Sequence, residues 1–260
     1  MNALYVVEEV CGVTQLRDVV YIVRWESSTI LAFNATTHQR LTDIDVTGLR
    51  DTWDIAACER TSQLYVADSL EYIWRASTDG TDIKRWLPKS PSDTFKPSTL
   101  SVTSTRLLVT SRYTHKLMQF DSVGNELVRV QLSDDMYPLH AVESPAGTFI
   151  VSRYNTQLKR GQIIEVNNVG EVLRQFSGSH LTSLGDTRRI AVDSRGNIFA
   201  PDANSRRILL LNAQLSLRRV VIDEHQLNYE RPRRLCYMEQ SGQLLVGSTS
   251  CVAVFDVLRR

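Results

Sequence analysis

The chain has 260 residues, of which 42% are apolar, and a formal net charge of +1. This composition supports a large core, and all-β chains of this length often form one domain. The near-zero net charge excludes attraction to nucleic acid or a membrane by the overall field of the protein. Because the sequence contains no apolar run of about 18 residues, it predicts no membrane-spanning helix.

The cysteines and the N-terminal segment indicate the compartment. Cys11, Cys58, Cys236 and Cys251 lie far apart and no pair has CxxC spacing. We therefore expect reduced thiols rather than a zinc site or a disulfide framework. The first ten residues lack the basic and long apolar regions of a signal peptide. These features predict a cytoplasmic protein, either complete or one domain of a longer chain.

Two short apolar runs recur along the chain with a common period. The first run ends at Val23, Val66, Val109, Val151, Ala200 and Val246, at spacings of 43, 43, 42, 49 and 46 residues. The second run closes on a turn-forming residue at Asn34, Ser77, Asp121, Asn167, Asn212 and Asp256, at spacings of 43, 44, 46, 45 and 44. A period of this size with several short strands per unit is typical of a propeller blade.

The predicted architecture is all-β: one six-bladed β-propeller over residues 1–260, with four antiparallel strands, a to d, in each blade. Glycine-containing turns such as Asp121-Ser-Val-Gly separate strands c and d. The sixth unit lacks a fourth strand, and a spare strand lies at 2–8, so we expect the N-terminal strand to complete the last blade and remove two exposed edges. The predicted blades span roughly 10–47, 52–88, 97–133, 139–177, 187–223 and 233–258, the last completed by strand 2–8.

The fifth unit, 188–212, resembles an NHL repeat. The matching positions are Asp193, Gly196, Asn197, Asp202, Asn204, Arg207 and Ile208. The second unit resembles the repeat more weakly, through LYVADS at 64–69. The only WD dipeptide, Trp53-Asp54, lies at the start of a strand a rather than in strand c. The resemblance implies an NHL-type propeller of the kind found in TRIM-NHL proteins, which can bind single-stranded RNA.

Propeller geometry divides the loops between two faces. The b–c and d–a connections form the top face, and the a–b and c–d turns form the bottom face. Arginine outnumbers lysine 25 to 5, and Arg and Tyr on loops held by a rigid scaffold are typical of binding sites. The predicted top-face binding residues are Trp53, Arg112, Tyr113, Tyr137, His140, Arg153, Tyr154, Arg188, Arg189, Arg206, Arg207, Tyr229, Arg231, Arg233 and Arg234.

A structural role for the same arginines is the alternative. Acidic residues share the predicted top face and would form exposed ion pairs, each contributing about 0–1 kcal/mol. They are Asp134, Asp135, Asp186, Glu224 and Glu230. Asp68 and Asp202 recur at equivalent places, and we expect them to accept hydrogen bonds from loop amides within their blades.

An enzyme is a further alternative, because related six-bladed propellers include calcium-dependent lactonases and zinc-dependent lyases with a metal at the mouth of the channel. Such a site needs several converging ligands. Of the five histidines only His140 lies at the start of a strand a, and arginines such as Arg188, Arg189 and Arg231 lie near the expected ligand positions. We expect no metal, no cofactor and no catalytic residue.

The sequence therefore favours a non-catalytic binding module, monomeric as an isolated domain and without a membrane. Its expected partner is an acidic or unstructured protein segment held on the top face. Single-stranded RNA is the second candidate, since Arg contacts to phosphate and bases stacked on Tyr would suit it. A metal-dependent lactonase-like or lyase-like propeller is the third.

Overall fold

A computed structural model describes residues 2–5, 9–70, 72–87, 95–111, 113–134, 136–155, 160–176, 189–228, 230–249 and 251–257. This part of the chain contains 24 strands and no helix. The strands form six four-stranded antiparallel sheets, so the predicted six-bladed β-propeller is confirmed. No helix in the described ranges is long and apolar enough to cross a membrane.

The first three blades each use four strands in chain order, with strand a next to the channel and strand d outermost. Blade 1 consists of β2 (Val10–Leu16), β3 (Val19–Arg24), β4 (Thr29–Asn34) and β5 (Ile44–Asp45). Blade 2 consists of β6 (Thr52–Cys58), β7 (Gln63–Asp68), β8 (Ile73–Ser77) and β9 (Ile83–Leu87). Blade 3 consists of β10 (Thr99–Thr103), β11 (Arg106–Ser111), β12 (Lys116–Phe120) and β13 (Glu126–Gln131).

The next two blades repeat this order, and the sixth borrows a strand. Blade 4 consists of β14 (Met136–Glu143), β15 (Phe149–Asn155), β16 (Arg160–Val166) and β17 (Val172–Gln175). Blade 5 consists of β18 (Ala191–Val192), β19 (Ile198–Asp202), β20 (Arg207–Leu211) and β21 (Leu217–Ile222). Blade 6 consists of β22 (Arg234–Met238), β23 (Gln243–Gly247), β24 (Cys251–Asp256) and β1 (Asn2–Tyr5).

The ring is closed by the N-terminal strand, as the sequence predicts. Strand β1 pairs antiparallel with β24, with Asn2 opposite Val254 and Tyr5 opposite Cys251. The described strand ends at Tyr5, and positions 6–8 of the predicted strand lie outside the described residues. Because one blade contains both ends of the described chain, the two edges that an open array would expose are paired with each other.

The hydrophobic core is divided among the six interfaces between neighbouring blades. One cluster joins blades 1 and 2 through residues such as Ile30 and Val66, and another joins blades 5 and 6 through Ile208 and Leu244. Each blade therefore buries both of its faces, and strands b such as β7 and β23 read as continuous apolar runs rather than as an alternation. The strand aromatics Tyr65 and Phe199 belong to this core and are 3% and 2% exposed.

The c–d turns of blades 3, 4 and 5 share one hydrogen-bonding scheme. In blade 4 the side chain of Asn167 accepts hydrogen bonds from the N–H groups of Val169 and Glu171, at 3.1 and 3.0 Å. Gly170 follows with φ at +91°, where a Cβ atom would lie 2.6 Å from the carbonyl oxygen of Gln131 in blade 3. The turn thus uses glycine both for a left-handed backbone and for close approach to the neighbouring blade.

Candidate functional site

The central channel is crossed by a side chain from blade 5. Arg189, just before β18, forms an ion pair with Asp54 of β6, and the two side chains are 6% and 0% exposed. Its Nη1 atom meets the carboxylate as an ion pair rather than as an aligned hydrogen bond. Its Nη2 atom donates to the carbonyl oxygens of Ile55 at 2.7 Å and Leu100 at 3.2 Å. Since blades 5 and 2 are opposite each other in a ring of six, Arg189 spans the channel.

Asp54 is fully engaged at this point. Its two oxygens accept hydrogen bonds from the N–H groups of Ile55 and Leu100, both at 2.8 Å. Burial raises the pKa of Asp54 to about 6, while the positive charge of Arg189 and these backbone donors oppose the rise. Gly12 makes room for this contact, because a Cβ atom there would lie 2.7 Å from the Ile55 nitrogen. At neutral pH the carboxylate is therefore ionised and paired.

Two more predicted site residues belong to the same buried cluster. His140 is 2% exposed, and its Nε2 atom lies 3.3 Å from the Leu100 carbonyl oxygen. Burial, together with the positive charges of Arg189 and Arg234, holds the pKa of His140 well below its ordinary value. Arg234 is 8% exposed and donates from Nε to the Cys11 carbonyl oxygen. The structure therefore places His140, Arg189 and Arg234 inside the channel rather than on the outer rim.

The donor set in the channel does not fit a metal ion. Calcium and zinc need several oxygen or nitrogen ligands that converge on one point. Both Asp54 oxygens already accept backbone hydrogen bonds, and the Arg189 guanidinium lies against this carboxylate, where a cation would bind. No group of three or more His, Cys, Asp or Glu side chains in the described ranges is placed to hold a metal.

Several predicted top-face arginines have structural partners. Arg153 lies in β15 and is 5% exposed. Arg207 contacts Asp202 at 3.0 Å, and Arg233 forms an ion pair with Glu9 that links blade 6 to the segment before blade 1. Asp202 also accepts from the Ser205 N–H, as expected for a loop cap. Arg207 and Arg233 therefore have a structural role, since their ion pairs connect segments of the top face.

Other predicted residues remain available on the top face. Arg231 is exposed and Arg206 is half-buried, and neither forms an ion pair within the described part of the chain. Tyr154 is half-buried at the end of β15. Arg112, Arg188 and Tyr229 lie outside the described residues.

Aromatic side chains form an arc over blades 1 to 4 on the top face. Trp25 and Trp53 meet edge to face with their centroids 5.7 Å apart, and His115 and Tyr137 lie 4.8 Å apart. Between these pairs Tyr113 is 60% exposed, with the Lys96 ammonium 6.0 Å from its ring centroid. We call Trp25, Trp53, Tyr113, His115 and Tyr137 the aromatic arc. Trp25 is missing from the residues predicted above, although its place just after strand b of blade 1 is a sufficient signal.

A cavity of about 490 Å³ opens on the bottom face, at the opposite end of the channel. We call it the bottom well. Its walls include Leu16, Ala57, Val102 and Cys236, near the ends of four strands a. Charged side chains of the a–b turns surround its mouth, namely Arg17, Glu59, Arg60 and Glu239. The sequence interpretation ranked faces by Arg and aromatic content, and so missed this cavity.

Comparison with known proteins identifies the fold. No protein-family model and no curated protein matches the chain, so the resemblance to NHL repeats stays a prediction. Catalytically inactive virginiamycin B lyase from Staphylococcus aureus, solved with quinupristin, is 11% identical with a TM-score of 0.67, over 94% of this chain and 80% of that one. The WD40 β-propeller domain of Doa1 is 15% identical with a TM-score of 0.65, over 95% and 93%.

A third similar structure is that of a nidogen/laminin complex. Its matching chain is 15% identical with a TM-score of 0.65, over 84% of this chain and 82% of that one. At such identities the likeness shows architecture alone. The chain is a six-bladed β-propeller with a bridged channel.

Proposed function

We propose that this propeller is a non-catalytic binding module whose top face captures an acidic, extended protein segment. The observation that carries the proposal is the exposure of the aromatic arc, in which Tyr113 and Trp25 are 60% and 38% exposed. Large aromatic side chains on a rigid scaffold are preferred anchors at protein interfaces.

The charge distribution supports an acidic partner. The aromatic arc covers blades 1 to 4. Arg206 and Arg231, which have no ion-pair partner among the described residues, belong to loops of blades 5 and 6. A segment crossing this face would place apolar side chains on the arc and carboxylates near the arginines. Arginine favours this arrangement because its planar fork binds carboxylates with two parallel hydrogen bonds.

The similar structures support a binding role at the level of the fold. One of them is a chain in a nidogen/laminin complex. The lyase among them is an enzyme, but the bridge between Asp54 and Arg189 occupies the channel here. A binding role therefore suits the described residues better than catalysis at the channel.

Single-stranded RNA is the second candidate for the same face. Exposed aromatic rings beside arginines suit stacked bases and phosphates. The net charge of only +1 favours protein instead. Dedicated RNA readers usually present a plainly basic domain.

Fluorescence anisotropy tests the proposal with two labelled probes, a peptide of alternating Glu and Phe and an oligouridine of equal length. We expect the peptide to bind. Tyr113→Ala and Arg206→Glu should each weaken it by about tenfold or more, as interface anchors do. Arg218→Glu serves as the matched control, because Arg218 is an exposed arginine on the outer strand β21.

The salt dependence separates the two partner classes. RNA binding would weaken linearly in log–log form with a slope set by the number of phosphates contacted, whereas the peptide should show a shallow slope. Preferred binding of oligouridine with a steep slope would replace the protein proposal by the RNA one. If Tyr113→Ala and Arg206→Glu bind both probes as the parent does, the top face is not the site.

A further inference from the structure

We propose that the bottom well binds a small apolar zwitterion, such as a short apolar peptide with free ends. This second site faces away from the top face and is independent of the function proposed for it. The bottom well has a volume of about 490 Å³, within the range of about 300–1,000 Å³ that is usual for small-molecule pockets.

The bottom well is blind, because the bridge closes its inner end. Arg189 binds the carbonyl oxygens of Ile55 and Leu100. Each of these lies two residues before a wall residue, Ala57 in β6 and Val102 in β10. With a rise of about 3.3 Å per strand residue, the guanidinium lies about 7 Å above this part of the wall. A ligand that enters from the bottom face therefore reaches a closed end and cannot pass through the channel.

Part of the wall accepts an apolar group. Leu16, Ala57 and Val102 contribute aliphatic surface, beside the polar side chains of Gln15, Ser104 and Gln240. Cys236 adds a neutral thiol, since burial raises the pKa of its side chain above the ordinary value. A neutral thiol is a poor nucleophile at neutral pH, so the site is suited to binding rather than to covalent chemistry.

The mouth of the bottom well carries both signs of charge. Arg17 donates to Ser62 at 2.9 Å, and Glu239 accepts from Ser194. In contrast, Glu59 and Arg60 are exposed neighbours in the a–b turn of blade 2, and neither has an ion-pair partner in the described ranges. A ligand with a single charge would meet a like charge at this mouth, whereas a zwitterion can pair with both.

The backbone of the turns supports a built site. Arg17, Ser62 and Ser104 all have positive φ, at 53°, 52° and 56°, and all three belong to a–b turns of blades 1 to 3. The a–b turns of blades 4 to 6 instead contain glycines with positive φ, namely Gly147, Gly196 and Gly242. Non-glycine residues in this conformation carry a strain cost and concentrate at ligand sites. Two of the three, Arg17 and Ser104, line the bottom well, to which blade 6 also contributes.

Calorimetry with leucyl-leucine tests this proposal. The parent should bind the free dipeptide more tightly than N-acetyl-leucyl-leucine, which has lost the positive charge, or leucyl-leucinamide, which has lost the negative one. We expect each blocked form to bind about tenfold more weakly, as is usual when one charged hydrogen bond is removed. Equal binding of all three forms, or binding of none, would overturn the proposal.

Variants locate the binding within the bottom well. Arg60→Gln should weaken leucyl-leucine by about tenfold but leave leucyl-leucinamide unchanged, and Glu59→Gln should spare only the N-acetyl form. Val102→Phe should fill the cavity and abolish binding, with circular dichroism and the melting temperature reporting on the fold. Because Gln240 is exposed at the mouth, Gln240→Trp blocks access without touching the core. The control Arg218→Gln makes the same charge change far from the bottom well. Unchanged binding in Arg60→Gln and Gln240→Trp would place the dipeptide elsewhere.

Discussion

Arg189 and Asp54 form an ion pair across the central channel, from opposite blades of the ring. Arg189 also binds Ile55, which is 134 residues earlier in the chain. The contact joins parts of the protein that no blade–blade interface joins, and it separates the top face from the bottom well. The ring is thus held by neighbour contacts around its circumference and by this bridge across its centre.

Removing one partner of the Arg189–Asp54 ion pair should lower the free energy of unfolding. In Arg189→Met the carboxylate of Asp54, which is 0% exposed, loses its counter-charge, and the Ile55 and Leu100 carbonyl oxygens lose a donor. We expect a loss of about 3–5 kcal/mol in the free energy of unfolding, as for other buried ion pairs that lose one partner. Chemical denaturation measures this loss.

A double-mutant cycle supplies the control. Asp54→Asn combined with Arg189→Met removes both charges, so its cost should fall well below the sum of the two single variants. Strict additivity would show that the two side chains do not interact in solution.

The buried histidine should make stability depend on pH. Its folded pKa lies well below the ordinary 6.5, so as the pH falls through about 6.5 the unfolded chain binds a proton that the folded protein does not. His140 therefore contributes stability that is present above that pH and is lost below it, by up to about 1.4 kcal/mol per pH unit. Denaturation midpoints at pH 7.5 and pH 6 should show the loss.

His140→Gln keeps a donor for the Leu100 carbonyl oxygen and should flatten this pH dependence. Asp54 acts in the opposite direction: its pKa is raised to about 6, so its contribution increases as the pH falls from 6 towards 3.8. The diagnostic quantity is therefore the difference between the parent and His140→Gln. Identical slopes in the two proteins would mean that His140 is not the group responsible.

The fold was predictable because two apolar runs repeat with one period, and each unit buries both faces of its sheet. Closure by the N-terminal strand could be predicted because the sixth unit contains only three strands. In the structure, residues 2–5 pair with β24. Local turn chemistry was also readable, since Asn167 and Asp121 stand where their side chains accept amide hydrogen bonds.

The site was less predictable, because the repeat period of the sequence does not show in which direction a loop side chain points. The pair Arg188-Arg189 was read as two rim cations, yet Arg189 points across the channel to Asp54. A usable signal existed: Asp54 and Arg189 are about three blade periods apart along the chain, which places them opposite each other in a ring of six. The bottom well gave no such signal, since its volume depends on how the ends of four strands a diverge.

Two glycines of blade 4 separate backbone strain from steric clash. Gly170 and Gly147 both have positive φ, at +91° and +77°. A Cβ atom at Gly147 would meet nothing within 4 Å, whereas one at Gly170 would lie 2.6 Å from the Gln131 carbonyl oxygen. Gly147→Ala should therefore cost only the conformational penalty of about 1–2 kcal/mol, and Gly170→Ala clearly more. Equal losses on urea denaturation would contradict the close contact between blades 3 and 4.

Removal of residues 1–5 should open the ring. This deletion takes away β1 and exposes β24, whose residues Cys251–Val254 are paired with it. We expect either aggregation through the free edge or a melting temperature lower by about 10 °C or more, since each kcal/mol shifts it by about 2–4 °C in a domain of this size. Size-exclusion chromatography and thermal denaturation measure the two outcomes.

A synthetic peptide of residues 1–8, added in trans, should restore part of the lost stability by pairing with the same edge. An unrelated destabilisation would not be reversed in this way. A truncated protein that stays monomeric at the parent's melting temperature would show that the N-terminal strand does not hold the last blade.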